Sequence, residues 1–331
     1  MAGEIAHAFV RISPVTTGFQ SSLERQTSGV GKSIGGKIGK AMGLAIGGTV
    51  AAAAGGLGAA VDLAIGFDKS MRNVNSIAKL NEKSFQALNK RVLDLGKTAG
   101  VAPKTLADGL YDVVSSGFAA NDAMKILTAG ALAGKAGLTD TATATGAVTA
   151  VLNAYHMSAD SAGKVSDALF QTVNVGVVNF EQLASTIGDV LPFASTLGVN
   201  IQAVGGAIAT MTKEGINASE TVTRIKAVMT QFISPSKDLT KAIHDQGFES
   251  GAAMIKALGL QGSLDRLYKS TGGNITQMGK LFPDVRALGG ALALTGKNSK
   301  GANADLIALA KSQGATASAA KEQAKSISQQ W

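Results

Sequence analysis

The chain has 331 residues, of which 41 are glycine, 16% are charged and only 5% are aromatic. It contains no cysteine, which excludes disulfides, thiolate metal sites and cysteine nucleophiles. The formal charge of +8 favours polyanionic neighbours in general. The sequence has no arginine-rich run and no alternation of aromatic with basic residues, so we do not predict sequence-specific binding of nucleic acid. Because large rings are scarce, we expect a core of Ala, Leu, Val and Ile between closely spaced helices.

Residues 1–26 form the first predicted section. A short extended segment around Ile5–Ile12 is broken at Ser13-Pro14, and the polar residues that follow could start a helix. The first ten residues lack the basic region and cleavage pattern of a signal peptide, so we expect synthesis in a cytoplasm.

Residues 27–66 form a second section, dominated by glycine and alanine. In a helix, a four-residue spacing keeps positions close to one face, and small residues there allow two backbones to approach closely. Each interior glycine costs a helix about 1 kcal/mol relative to alanine, so such a helix needs a packing partner. The predicted helix-packing stripe consists of Gly31, Gly35, Gly39, Gly43, Gly47, Ala51, Gly55 and Ala59.

Three interpretations of this second section remain open: helix packing within a homo-oligomer, a membrane-related role, and a low-complexity linker. Residues 41–61 carry no charge and are numerous enough to cross a bilayer as a helix. Their hydropathy is nevertheless weak for a spanning segment, because Gly and Ala outnumber Leu, Ile and Val. Lys32, Lys37 and Lys40 precede the run, which would favour keeping its N-terminal end on the cytoplasmic side of a membrane.

Residues 67–300 form the third section, which predicts a succession of short α-helices. Glycines followed by an apolar residue and a polar cap indicate helix ends, and apolar residues between them step by three and four. The stops are Gly137-Leu138-Thr139, Gly176-Val177-Val178-Asn179, Gly198-Val199-Asn200 and Gly215-Ile216-Asn217. Three capping boxes are predicted, pairing Asn179 with Gln182, Asn217 with Glu220, and Asn274 with Gln277. The fold class is therefore all-α.

Two details complete this prediction. Pro192 should kink or split the helix that begins near Phe180. Residues 301–331 predict a polar, alanine-rich helical tail, which we expect to continue in a longer chain.

We searched the sequence for phosphate-binding, metal-binding and nucleophile motifs and found none that is complete. Gly29-Val30-Gly31-Lys32-Ser33 is not a phosphate loop, because Gln26 stands where the first glycine is required. His7, His156 and His244 have no metal-ligand spacing, and no Gly-x-Ser-x-Gly elbow occurs. We therefore predict no catalytic, cofactor-binding or metal-binding residues, and no enzymatic activity.

The third section resembles the core domain of bacteriophage tail tape measure proteins and related minor tail proteins. The segments that carry the resemblance are Phe67–Met71, Ala99–Phe118, Val165–Ser219, Ser234–Ser236, Asp245–Gly247 and Leu267–Gly296. One detail departs from the family pattern: Thr221–Ile225 replaces a Gly-Thr pair that often precedes a Leu-Arg helix there.

The resemblance implies a structural protein of the virion, made in the host cytoplasm and placed in the tail lumen. It would scaffold tail tube assembly, help to set tail length, and later be expelled ahead of the DNA, with contact to the host membrane. The implied partners are the tail tube protein, tail assembly chaperones, tail-tip or baseplate hub proteins, and further copies of the chain. Because long heptad stretches are missing, we expect a folded head segment, with any measuring part beyond Trp331.

Two other functions compete with this one. A pore-forming or membrane-active protein would insert residues 41–61, while its helical section docks. An envelope-degrading enzyme is the weakest alternative, because no acid, base or nucleophile constellation can be named.

Overall fold

The computed structural model describes residues 56–137 and 139–328, with side chains described from Asp62 to Gln323 except at Leu138. These residues form sixteen α-helices and two short 3-10 turns, and they contain no strand, so the all-α prediction is confirmed for them. The predicted extended segment Ile5–Ile12 and residues 41–55 of the uncharged run lie outside the described residues.

The helices, numbered in chain order, are α1 (Gly56–Ala78), α2 (Glu82–Ala99), α3 (Pro103–Ser115), α4 (Ala120–Gly137), α5 (Thr141–Ala154), α6 (Ala162–Val175), α7 (Phe180–Ile187), α8 (Leu191–Leu197), α9 (Ile201–Lys213), α10 (Ala218–Ile233), α11 (Lys237–Asp245), α12 (Gly251–Ser270), α13 (Ile275–Leu281), α14 (Val285–Leu294), α15 (Ser299–Ala310) and α16 (Ala315–Ser328). The 3-10 turns are Ala159–Ser161 and Gly296–Asn298. The chain divides into two units, residues 1–68 and 69–331, and the described part of the first unit is the beginning of α1.

Helix starts depend on short-range capping, as the sequence predicts. At α7 the capping box is complete: the Asn179 side chain accepts the Gln182 N–H at 2.8 Å, and Gln182 Oε1 accepts the Asn179 N–H at 3.1 Å. Within the described residues, Asn217 and Asn274 form only the first half of their predicted boxes. The Glu220 carboxylate accepts a hydrogen bond from Arg224 Nε at 2.8 Å instead. The prediction of reciprocal capping boxes was therefore wrong at these two helices, although both asparagines cap them.

A helix ends at or just before each of the four predicted glycine stops, but the glycines differ in conformation. Gly198 and Gly215 adopt left-handed backbone, with φ of 70° and 86°. Gly176 does not, since its φ is −87°; it is instead crowded, and an added Cβ would lie 2.8 Å from Thr172 O. Gly137 is the last residue of α4, where an added Cβ would lie 2.9 Å from the Phe180 ring, and Asp140 rather than Thr139 caps the next helix.

The proline prediction is confirmed. Pro192 lies in the first turn of α8, and the chain passes through a turn between Ile187 and Leu191. Proline tolerates this position because the first-turn N–H groups have no partner within the helix.

The second unit is built around a core of aliphatic side chains with few rings. Phe232 at the end of α10 packs edge-to-face on Phe282, with ring centroids 6.2 Å apart. The other large side chains with almost no exposure include Leu106, Leu110, Ile126, Leu127, Leu152, Leu169, Phe180 and Leu183. Small residues fill the remaining contacts, as expected from the low aromatic content.

Glycines let several helices pass at backbone distance. On α9, a Cβ added to Gly205 would lie 2.2 Å from Thr172 Oγ1, and one added to Gly206 would lie 3.2 Å from Leu306 Cα. On α14, Gly290 similarly faces Val228 and the backbone of Arg224 on α10. Since no side chain fits at these points, α6, α15 and α10 pack against their neighbours with little separation.

Candidate functional site

The predicted helix-packing stripe is not described by the structure. Gly31, Gly35, Gly39, Gly43, Gly47, Ala51 and Gly55 lie outside the described residues. Ala59 lies in α1, but its surroundings are not described. The stripe therefore stays a prediction.

The described helices contain the same small-residue spacing at another place, which sequence reasoning missed. An open groove of about 200 Å³ lies between α3 and α5. Ala142, Gly146 and Ala150 line it from α5, each one turn after the last, and Gly109 and Val113 line it from α3. A Cβ added to Gly146 would meet no atom within 4 Å, so the groove has room at its centre.

His244 and Tyr155 each make a hydrogen-bonding contact with the backbone. His244 Nε2 lies 3.2 Å from Glu249 O, and Tyr155 donates a hydrogen bond to Val199 O at 2.7 Å. Burial raises the pKa of the Tyr155 hydroxyl, which keeps it protonated as a donor. Within the described residues, no group of three or more His, Asp or Glu is placed to hold a metal ion.

One buried carboxylate joins α15 to α9. Asp305, 5% exposed, accepts hydrogen bonds from Thr210 Oγ1 at 2.8 Å and from Lys213 Nζ at 2.5 Å. A buried carboxylate requires such donors, because its desolvation is costly without them. The contact therefore fixes α15 on α9, where Gly205 and Gly206 carry no side chains that would hold neighbouring helices away.

A second buried carboxylate joins α16 to α6. Asp167 accepts the Gly314 N–H at 2.7 Å and the Thr316 N–H at 3.0 Å, one on each oxygen. Beside it, the Ser166 hydroxyl lies 3.3 Å from Thr316 Oγ1. Sequence reasoning missed both carboxylates. The one available signal was an acidic residue within an apolar helical run, and such a residue does not reveal its distant partner.

Exposed ion pairs and caps add local stability along the helices. Burial raises the pKa of Asp108, but hydrogen bonds from Lys104 and Ser70 outweigh burial and hold that pKa below its usual value. Hydrogen bonds to Asp160 and Asp122 raise the pKa of Lys125. The Lys104–Asp108 pair spans one helical turn, whereas Lys125 Nζ reaches Asp160 beyond α5 at 2.6 Å.

These features define an all-helical protein whose polar groups fix helices to one another. Within the described residues, no helix is both long enough and apolar enough to cross a membrane.

The sequence model of the phage-related minor tail protein family matches residues 89–282, and the chain belongs to this family. This match confirms the resemblance found in the third section of the sequence.

Two curated relatives carry the tape measure name. The chain is 27% identical over 245 residues to a probable tape measure protein of Clostridium phage phiCD119, covering 71% of this chain and 26% of that protein. It is 26% identical over 221 residues to a tape measure protein of Pneumococcus phage Dp-1, covering 65% of this chain and 19% of that protein. The chain thus spans about a quarter or less of the length of these relatives. No solved structure matches the chain.

Proposed function

We propose that this chain is a folded structural segment of a phage tail tape measure protein, without enzymatic activity. The observation that carries the proposal is the family match over residues 89–282, together with the alignments to two proteins named as tape measures. In this role the protein scaffolds polymerisation of the tail tube and contributes to setting tail length. It resides in the virion, in the tail lumen.

The proposed partners follow from that place in the tail. They are the tail tube protein, the tail assembly chaperones, the tail-tip or baseplate hub proteins and further copies of this chain. After attachment, the protein leaves the tail ahead of the DNA and contacts the host membrane. The predicted stripe from Gly31 to Ala59 is the proposed packing surface between copies.

The fold supports a folded segment rather than an extended ruler. Among the described residues, the helices of the second unit are joined by short turns and pack on one another. The number of residues in this part of the chain therefore does not convert into axial length at 1.5 Å per residue. The axial measuring function therefore belongs to extended helical parts of a tape measure protein.

Deletion of the gene in the phage that encodes the chain tests the function. Electron microscopy of the lysate should show filled heads without tails, or tube-protein polymers of irregular length. Supplying the wild-type protein from a plasmid should restore tails of uniform length. Normal virion tails from the deletion phage would overturn the proposal.

A second candidate function is a membrane-active protein that inserts residues 41–61, favoured by the absence of charge along that run. Flotation of the full chain with anionic liposomes, compared with a variant lacking residues 41–61, tests it. Binding that disappears on deletion supports membrane insertion. Lack of flotation by both proteins removes this function.

A further inference from the structure

We propose that α16 is a detachable helix, fixed by a polar clasp to α6, which opens about Gly314 while the preceding helices stay folded. The clasp consists of Ser166 and Asp167 on α6 and of Gly314 and Thr316 at the start of α16. This conformational device goes beyond the proposed tail function and does not depend on it.

The clasp replaces a cap that α16 cannot make for itself. The residue before α16 is Gly314, which has no side chain to accept the first-turn N–H groups. Asp167, which lies 147 residues earlier than Gly314, accepts the N–H groups of Gly314 and Thr316 instead. The carboxylate also lies at the positive end of the helix dipole, where negative charge is favourable. The start of α16 therefore depends on a tertiary contact.

The described side chains of α16 bury little apolar area. Among the side chains of α16 that the structure describes, the two that are buried are Thr316 and Ala320. The preceding helix α15 differs, because it buries Leu309 completely and places Leu306 against Gly206. The Thr316 and Ala320 side chains bury less apolar area than a leucine such as Leu309, so they contribute less hydrophobic stabilisation. The clasp is therefore a principal described contact between α6 and the start of α16.

The backbone before α16 has the freedom that opening requires. Gly314 has a φ of +82°, and a Cβ added there would meet no atom within 4 Å. Rotation at this residue moves α16 without repacking α15, whose Asp305 remains bonded to Thr210 and Lys213. Opening uncovers the faces of α4 and α6 on which α16 lies.

A cysteine pair tests the proposal directly. Because the chain has no cysteine, Ser166→Cys with Thr316→Cys introduces a single thiol pair, where the two hydroxyl oxygens lie 3.3 Å apart. Amide hydrogen exchange followed by mass spectrometry is measured on the full chain, as wild type and as the double variant, reduced and oxidised. In the wild type and the reduced variant, α16 should exchange at least about ten-fold faster than α9. Oxidation should slow α16 to the rate of α9.

Either of two exchange results would overturn the proposal. If α16 and α9 exchange at the same rate in the wild type, α16 opens only with the whole unit. If the disulfide forms but leaves the exchange of α16 fast, opening does not proceed through the clasp.

A variant without the carboxylate gives a second measurement. Asp167→Ala should accelerate exchange in α16 by about ten-fold or more and leave α4 and α9 unchanged. Asp189→Ala, at an exposed turn, is the matched control and should leave all helices unchanged. Faster exchange throughout the unit in Asp167→Ala would contradict separate opening. If that variant does not fold, the oxidised and reduced cysteine pair decides the question.

Discussion

A Cβ atom placed on Gly130 would lie 2.1 Å from Thr145 Oγ1 and 2.6 Å from Thr145 Cα. Helices α4 and α5 therefore cross with backbone against backbone at this point. The Thr145 hydroxyl is buried there without a hydrogen-bond partner among the described residues. Because a side chain at position 130 would overlap Thr145, the spacing of the two helices at this crossing depends on glycine.

The first prediction concerns this crossing. Gly130→Ala should lower the free energy of unfolding by about 1–3 kcal/mol, because the added methyl forces α4 and α5 apart. Thr145→Ala should restore only part of the loss, since Thr145 Cα itself stands in the way. Urea unfolding followed by circular dichroism measures the effect.

Gly146→Ala is the matched control, one residue along α5 from Thr145 and with open space for a Cβ. It should raise stability by about 0.5–1 kcal/mol, because alanine is the better helix former. Equal unfolding midpoints for the Gly130→Ala and Gly146→Ala variants would show that the crossing is not rigid.

The second prediction concerns the buried carboxylate on α15. Asp305→Asn should lower the free energy of unfolding by about 1–3 kcal/mol, because it removes the charge that Lys213 meets in a buried site. Asp245→Asn is the control, since Asp245 pairs with Lys241 at the same 2.5 Å but on the surface. It should change stability by less than about 0.5 kcal/mol. Comparable losses in both variants would contradict the importance of burial.

The third prediction concerns pH. Hydrogen bonds from the Thr143 hydroxyl and N–H hold the pKa of Asp140 below its usual value. A depressed pKa in the folded state stabilises the protein above the ordinary pKa, and this contribution is lost as pH falls through the depressed one. After solvent screening at this exposed site, Asp140→Asn should therefore cost about 0.5 kcal/mol at about pH 7, and the cost should be smaller at about pH 2, below the ordinary carboxyl pKa. Urea unfolding at both pH values measures it, and a constant difference would contradict the charge effect.

The fourth prediction has the opposite sign. Burial raises the pKa of Glu214, although attraction to Lys297 partly opposes it. A raised pKa in the folded state means that the protonated carboxyl group contributes stability at low pH, and this contribution is lost as pH rises through the raised value. Glu214→Gln should thus gain stability relative to the wild type between about pH 4 and pH 7. A loss at neutral pH, measured by urea unfolding, would mean that Lys297 outweighs burial.

The fifth prediction rests on the proposed tail function. A helical insertion of about 30 residues between Gly188 and Asp189, an exposed turn, should leave tail length unchanged in electron micrographs. The reason is that helices that fold back do not add their length along one axis. Lengthening by about 45 Å, the rise of such a helix, would show that this region acts as an extended ruler.

Local features were predictable along the described chain. The caps at Asn179, Asn200 and Asn217 and the break at Pro192 all form where the sequence placed them, because each depends on atoms within about four residues. The reciprocal half of a capping box was less predictable. The Glu220 carboxylate could accept a hydrogen bond from the Asn217 N–H or from Arg224, and it accepts the one from Arg224.

The sequence by itself determined that helices form, where many of them begin, and which family the chain resembles, since capping, periodicity and proline act over short distances. The tertiary structure alone decided what individual glycines do: Gly198 ends a helix in left-handed backbone, whereas Gly205 admits Thr172 from another helix. It also decided the partners of Asp167 and Asp305, because a buried carboxylate takes its donors from whichever helix packs on it. Those donors lie far away in sequence, and no local pattern encodes them.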